Sequence, residues 1–237
     1  MRYAVLGTGV VGRTLAGKLV SVGHDVVIGT RDPAATLAHT SDDPAAPSYA
    51  DWQAAHPEVG LAAFARAAEG AEVLVNATGG RASLLALATV DPAHLEGKVL
   101  IDIANPLDFS RGFPPGLDPV DSDSLGEQIQ RAHPGLRVVK TLNTMQCAVM
   151  VDPGRVAGEH HVFVSGDDAE AKKEVRELLY SFGWPQDAVL DLGGIETARG
   201  TEMLLPIWLR LMGSLGHAEF NFHIQGAGAA GGGGEGH

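Results

Sequence analysis

With a single cysteine, Cys147, this chain has no way to form an intrachain disulfide. Cations are scarce too: 17 Lys and Arg stand against 29 Asp and Glu, a formal net charge of −12. That balance excludes a general nucleic-acid surface or an acidic-membrane surface. It also means that an anionic ligand must meet a local cluster of basic groups. No long apolar run and no leader pattern is present, and the first apolar residues belong to a strand; a soluble, cytoplasmic protein with no membrane partner is expected. The chain also lacks a convincing metal set. His160 and His161 are adjacent ahead of a strand, HVFVSG, and so point to opposite faces; a surface position is expected for them. What remains is an ordinary 45% hydrophobic fraction over 237 residues, enough for one large core with a small appendage.

The informative stretch is the first thirty-odd residues, MRYAVLGTGVVGRTLAGKLVSVGHDVVIGTRDP. Residues 2–6 read as a buried strand, Gly7, Gly9 and Gly12 form G-x-G-x-x-G, an apolar-periodic helix runs to about Val22, and Val26–Ile28 reads as the next strand. Strand, glycine turn, helix and strand make a dinucleotide-binding unit. Gly7 permits the tight turn, Gly9 lets the backbone approach a pyrophosphate, and Gly12 lets the helix pack closely. The helix N-terminus offers free N–H groups to phosphates. The second strand ends in Gly29-Thr30-Arg31-Asp32 rather than in an acid. Thr30 and Arg31 suit a 2′-phosphate, hence NADP over NAD. Asp32 is the competing ribose acid, but Pro33 after it marks an N-cap.

Further along, a short helix is expected through His39, and residues 40–58 read as an insertion pinned by Tyr49 and Trp52. Residues 61–69 read as a helix and Ala71–Val75 as a strand ending in Asn76-Ala77-Thr78-Gly79-Gly80. A helix over 82–89 precedes the strand Lys98–Ile103, which ends in Ala104-Asn105-Pro106-Leu107. A turn-rich loop that covers the site follows, then a helix from Ser124 to Arg131 with Ser124 and Glu127 spaced as a capping box. The strand Leu136–Lys140 ends in Thr141 to Cys147, a third strand end with small or amide side chains. Such ends face the ligand in doubly wound sheets. Cys147 reads as a wall residue rather than a nucleophile. An amphipathic helix over Asp167–Tyr180 and a short strand Ala188–Leu190 complete the sheet. The fold class is therefore α/β: a Rossmann-type doubly wound, mostly parallel sheet over residues 1–194, with a small C-terminal helical part over 195–225. In that part Met203, Leu204, Ile207, Trp208, Leu211, Met212 and Leu215 recur at helical spacing, and Pro206 should kink or start the helix. The glycine-rich 226–237 should be disordered.

Taken together, VLGTGVVGRTLAGKL, VVIGTRDP, DIANPL, VKTLNTM and VFVSGDD resemble the NADPH-dependent coenzyme F-420 reductase family, the F-420-dependent NADP oxidoreductases. The resemblance runs from Met1 to about Phe222 and implies a homodimer that binds NADP(H) through Gly7, Thr8, Gly9, Val10, Val11, Gly12, Thr30 and Arg31. The nicotinamide end would meet Ala77, Thr78, Asn105, Pro106, Met145 and Cys147, with coenzyme F-420 as the hydride acceptor or donor. Asp-Pro-Ala-Ala follows Arg31 where archaeal members often carry further basic residues. Arg155, Arg199 and Arg210 lie in the half where the resemblance places the second cofactor. No catalytic side chain is identified, because hydride transfer between two stacked rings needs positioning more than an acid or base. The rival functions are an NADPH-dependent reductase of a small carbonyl or imine, which would need a proton donor near Asn105 or Lys140, and a non-enzymatic NADP(H)-binding protein.

Overall fold

The structure is a computed structural model that describes residues 1–40 and 47–226. Part of the expected insertion, 41–46, and the glycine-rich tail after Gly226 lie outside the described residues. The chain runs β1 (Arg2–Leu6), α1 (Val10–Ser21), β2 (Asp25–Thr30), α2 (Pro33–Ala38), α3 (Tyr49–Ala55), β3 (Gly60–Ala63), α4 (Phe64–Glu69), β4 (Val73–Asn76), α5 (Gly80–Leu87) and β5 (Val99–Asp102). A small hairpin, β6 (Leu107–Asp108) and β7 (Gly116–Leu117), follows β5. Then come α6 (Leu125–Ala132), β8 (Arg137–Thr141), α7 (Cys147–Val151), β9 (Val162–Ser165), α8 (Ala169–Phe182), β10 (Val189–Asp191) and α9 (Ala198–Leu215). Eight strands form one sheet in the order β10-β9-β8-β5-β4-β1-β2-β3. The six from β3 to β8 are parallel, and β9 enters antiparallel to β8, with Thr141 opposite Val164.

The central strands of the sheet are buried on both faces, which is why they read as continuous apolar runs without polar alternation. Successive side chains still divide between two cores. Tyr3, Val5, Val26, Ile28, Val73 and Val75 join one face with Leu15, Ala16 and Leu19 of α1 and with α8. Ala4, Leu6, Val27, Leu74 and Leu100 join the other with α4, α5 and α6. The expected helix over 61–69 is corrected: Gly60–Ala63 instead pairs with β2, Leu61 opposite Ile28, and the helix starts at Phe64. The alanines favour a helix locally, but the unpaired edge of β2 supplies a ladder that outweighs propensity.

The surface expectation for the histidine pair is corrected as well. His160 is buried; its Nε2 meets Pro153 O at 3.0 Å, and Asn221 Nδ2 lies 3.0 Å from its Nδ1. The chain after α9 folds back here, with His161 N donating to Phe222 O and Ile224 N donating to His161 Nδ1, so one ring nitrogen of each histidine meets the returning chain. The α9 helix continues through Pro206. It buries Leu205 and Trp208, the latter stacked on Phe220 at 5.3 Å, and leaves Met203 and Ile207 39% and 47% exposed.

Candidate functional site

The strand order reverses between β1–β2 and β1–β4, and a crevice opens at the carboxyl ends of these strands. It holds about 1040 Å³. Gly7–Gly9, Thr30–Asp32, Pro47–Tyr49 and Ala77–Gly79 form its walls together with Arg13, Thr36, His39 and residues of α5. Gly7 sits at φ +123°, and a Cβ there would stand 2.4 Å from Ala77 O. A Cβ on Gly12 would lie 2.2 Å from Gly7 O, so this position draws α1 against the turn. A Cβ on Gly9 would meet nothing within 4 Å: it would project into open space. Gly9 is also the N-cap of α1, with no side-chain cap and no acid in the first turn, so the orphan N–H groups remain free for an anion. A pyrophosphate fits that combination of free donors, helix dipole and clear space.

At the end of β2, Asp32 caps α2 by accepting from Ala35 N at 3.0 Å. Thr36 Oγ1 donates to Asp32 O at 2.8 Å, which makes Thr30 Oγ1, 2.8 Å from Thr36 Oγ1, the donor in that contact. The Thr30 proton is thereby committed to shaping the turn, and Arg31 is exposed, with no ion-pair partner among the described residues. Arg13, Thr36, His39 and the 47–49 segment escaped the sequence reading. A basic residue directly after the third glycine was the one available signal.

The remaining expected residues adjoin the crevice without lining it, as Asn105 and Pro106 do where they pack on Gly80. Val10 and Val11 belong to the first turn of α1, and neither they nor Gly12, Asn105, Pro106, Met145 or Cys147 line the cleft. Asn105 and Asn143 clasp the ends of β5 and β8: Asn105 Nδ2 donates to Asn143 O at 2.7 Å, and Asn143 Nδ2 to Asn105 Oδ1 at 3.0 Å. Met145 and Cys147 are buried, and Thr14 Oγ1 approaches Cys147 Sγ at 3.6 Å. Arg155 and Arg199 do not offer free charge, since Arg155 pairs with Glu219 and Arg199 grips both oxygens of Glu127 at 2.6 and 2.8 Å.

Beneath the cleft runs a chain of buried polar groups that sequence reasoning also missed. Thr78 Oγ1 donates to Asn76 Oδ1 at 2.7 Å, and Asn76 Nδ2 donates to Ser83 Oγ at 3.0 Å and to Asp102 Oδ1 at 2.8 Å. Asp102 Oδ2 accepts from Lys140 Nζ at 2.9 Å, and Lys140 Nζ reaches Ala104 O and, at 2.7 Å, Glu202 Oε1. Glu202, from α9, accepts in turn from Leu125 N and Gly126 N at the start of α6. Burial alone would push Lys140 down, but its two carboxylates outweigh this and hold it above its ordinary value. Burial pushes Glu202 up against the pull of Lys140. One cation thus serves two buried carboxylates.

Comparison with known proteins agrees with this architecture. The family model described as "NADP oxidoreductase coenzyme F-420-dependent" matches residues 2–106. The F-420-dependent NADP reductase of Methanothermobacter marburgensis is 30% identical over 217 residues, covering 89% of this chain and 92% of that protein. Metalloreductase STEAP3 of Rattus norvegicus is also 30% identical, over 211 residues, but the chain spans only 38% of its length. A crystal structure from Arthrobacter sp. FB24, named as a candidate F-420-dependent NADP-reductase, superposes with a TM-score of 0.90 at 60% identity, covering 95% of this chain and 99% of that one. With the glycine turn, the cationic end of β2 and an end-to-end relative in agreement, the chain belongs to the coenzyme F-420-dependent NADP oxidoreductase family and is an NADP-dependent oxidoreductase.

Proposed function

We propose that this oxidoreductase moves hydride between NADP(H) and the deazaflavin of coenzyme F-420, as a cytoplasmic homodimer. The observation that carries the reading is the end-to-end match to a protein named an F-420-dependent NADP reductase. In this reading the first-turn N–H groups of α1 hold the pyrophosphate above Gly9, and Arg31 pairs with the 2′-phosphate. Ala77, Thr78, Asn105, Pro106 and the Met145–Cys147 loop flank the nicotinamide. Bound NADP(H) supplies or accepts hydride at nicotinamide C4. The chain itself supplies orientation: the network under Thr78 fixes one wall, and the Asn105–Asn143 clasp fixes the ends of β5 and β8.

A carbonyl or imine reductase would need a side chain able to deliver a proton. Lys140, the nearest lysine in sequence to the third strand end, is wholly buried between Asp102 and Glu202, which supports the deazaflavin reading. The exposed Met203 and Ile207 on α9 support a second copy covering that helix. The test mixes enzyme, NADPH and oxidised coenzyme F-420 and follows the loss of deazaflavin absorbance. NADPH binding without that loss would transfer the assignment to the carbonyl or imine reductase.

A further inference from the structure

Two polar atoms in the wall of the cleft have no hydrogen-bond partner among the described residues. Arg13 Nε and the Tyr49 hydroxyl are both buried and unsatisfied, and both residues line the nucleotide crevice. Buried polar atoms left unpaired are costly, so a pair of them at one ligand site needs an explanation. The rest of Arg13 is fixed. It stands in α1 directly after the glycine turn, and its Nη1 donates to Pro47 O at 2.9 Å and to Ser48 O at 3.4 Å. That leaves the Nε–Nη2 edge of the guanidinium without a hydrogen bond among the described residues, and this edge can grip two phosphate oxygens in parallel.

Tyr49 is the first residue of α3, 6% exposed, and its neighbour Ser48 caps that helix by accepting from Asp51 N. Burial pushes its hydroxyl up to about 12, with Arg13 close enough to oppose the shift. It therefore stays protonated and acts as a donor. Both orphans are donors, and both residues line the crevice that Arg31 also lines. Asp32 is the one carboxylate among the described lining residues, and it is engaged in capping α2.

We propose that Arg13 and Tyr49 supply a second set of phosphate donors, which grips the adenosine 2′-phosphate together with Arg31. Residues 47–49 are then part of the specificity device: Pro47 and Ser48 orient the guanidinium, and Tyr49 adds a neutral donor. The proposal rests on the NADP-binding reading of this cleft.

The test titrates the full-length protein and its variants with 2′,5′-ADP and with 5′-AMP, which differ only in the 2′-phosphate. Wild type should prefer 2′,5′-ADP. Arg13→Gln should lose about tenfold or more for 2′,5′-ADP while its affinity for 5′-AMP stays within about twofold. Tyr49→Phe keeps the ring and removes only the hydroxyl, and should lose about threefold for 2′,5′-ADP alone. An equal loss for both ligands would assign Arg13 to the 5′-phosphate or to shaping the wall, and would overturn the proposal. So would unchanged 2′,5′-ADP binding in both variants. Failure of the wild type itself to prefer 2′,5′-ADP would instead overturn the NADP reading, and the proposal with it.

Discussion

Replacing Lys140 with Met removes the cation from between two buried carboxylates while keeping the length of the stem. Asp102 would retain Asn76 Nδ2 and Ala104 N, and Glu202 would retain the N–H groups of Leu125 and Gly126, but neither would keep a counter-charge. Breaking a buried ion pair by removing one partner costs about 3–5 kcal/mol. At about 2–4 °C per kcal/mol for a chain of this size, the midpoint should fall by roughly 10 °C. The pH dependence gives a sharper readout. The folded state already holds Glu202 above its ordinary value, and loss of Lys140 raises it further. A carboxyl whose folded pKa exceeds its unfolded one binds more protons in the native state, so stability increases as pH falls through that window. The deficit of Lys140→Met should therefore shrink as the pH is lowered from above neutrality toward the ordinary carboxylate range. Wild-type Lys140, held above its ordinary value, changes nothing in that range, because its contribution is lost only as pH rises past it. Urea denaturation followed by circular dichroism across that range measures both effects. A variant as stable as wild type, or a deficit that does not vary with pH, would refute the electrostatic account of this network.

Four other outcomes are expected. Arg31→Ala should weaken NADPH far more than NADH, by about tenfold or more, in parallel fluorescence titrations. Gly9→Val should abolish nucleotide binding with little change in melting temperature, whereas Gly12→Ala should lower the melting temperature, since its Cβ would collide with Gly7 O at 2.2 Å. Sedimentation at micromolar concentration should show a dimer that Ile207→Glu converts to monomer; Trp208 is a poor probe, because it is packed on Phe220 within its own chain. Raising the ionic strength should alter the apparent affinity for coenzyme F-420 only modestly in steady-state assays, because Arg155 and Arg199 are already paired.

The parallel sheet was legible because its strands are apolar on both faces and are punctuated by Gly, Asn and Pro. The capping signals were legible for the same local reason: Asp32, Ser124 and Asp168 each accept from the backbone N–H three residues on. β3 was not legible, since GLAA carries no β signal and exists as a strand only by courtesy of the free edge of β2. The reversed direction of β9 was equally hidden, because an apolar strand reads alike in either sense. In the cleft, the glycine turn and Arg31 could be found by local pattern. Arg13 could not be assigned, because its importance depends on Pro47 and Ser48, 34 and 35 residues away. Lys140 looked like an ordinary polar strand end, and its partner Glu202 lies on a helix whose apolar stripe gave no hint of a buried acid.

The placement of Glu202 has a consequence for how this chain can be cut. A helix after a finished sheet invites removal as an accessory, leaving a minimal nucleotide-binding unit. Here the last helix carries the acid that shares Lys140 with Asp102 and accepts the opening N–H groups of α6. A truncation after the sheet would leave Lys140 with Asp102 as its one carboxylate, take the acceptor from two amides at the start of α6, and open the buried end of the network. Anyone grafting this glycine turn and crevice into another protein would have to bring residue 202 along, or replace the lysine, the aspartate and the glutamate together with an apolar plug.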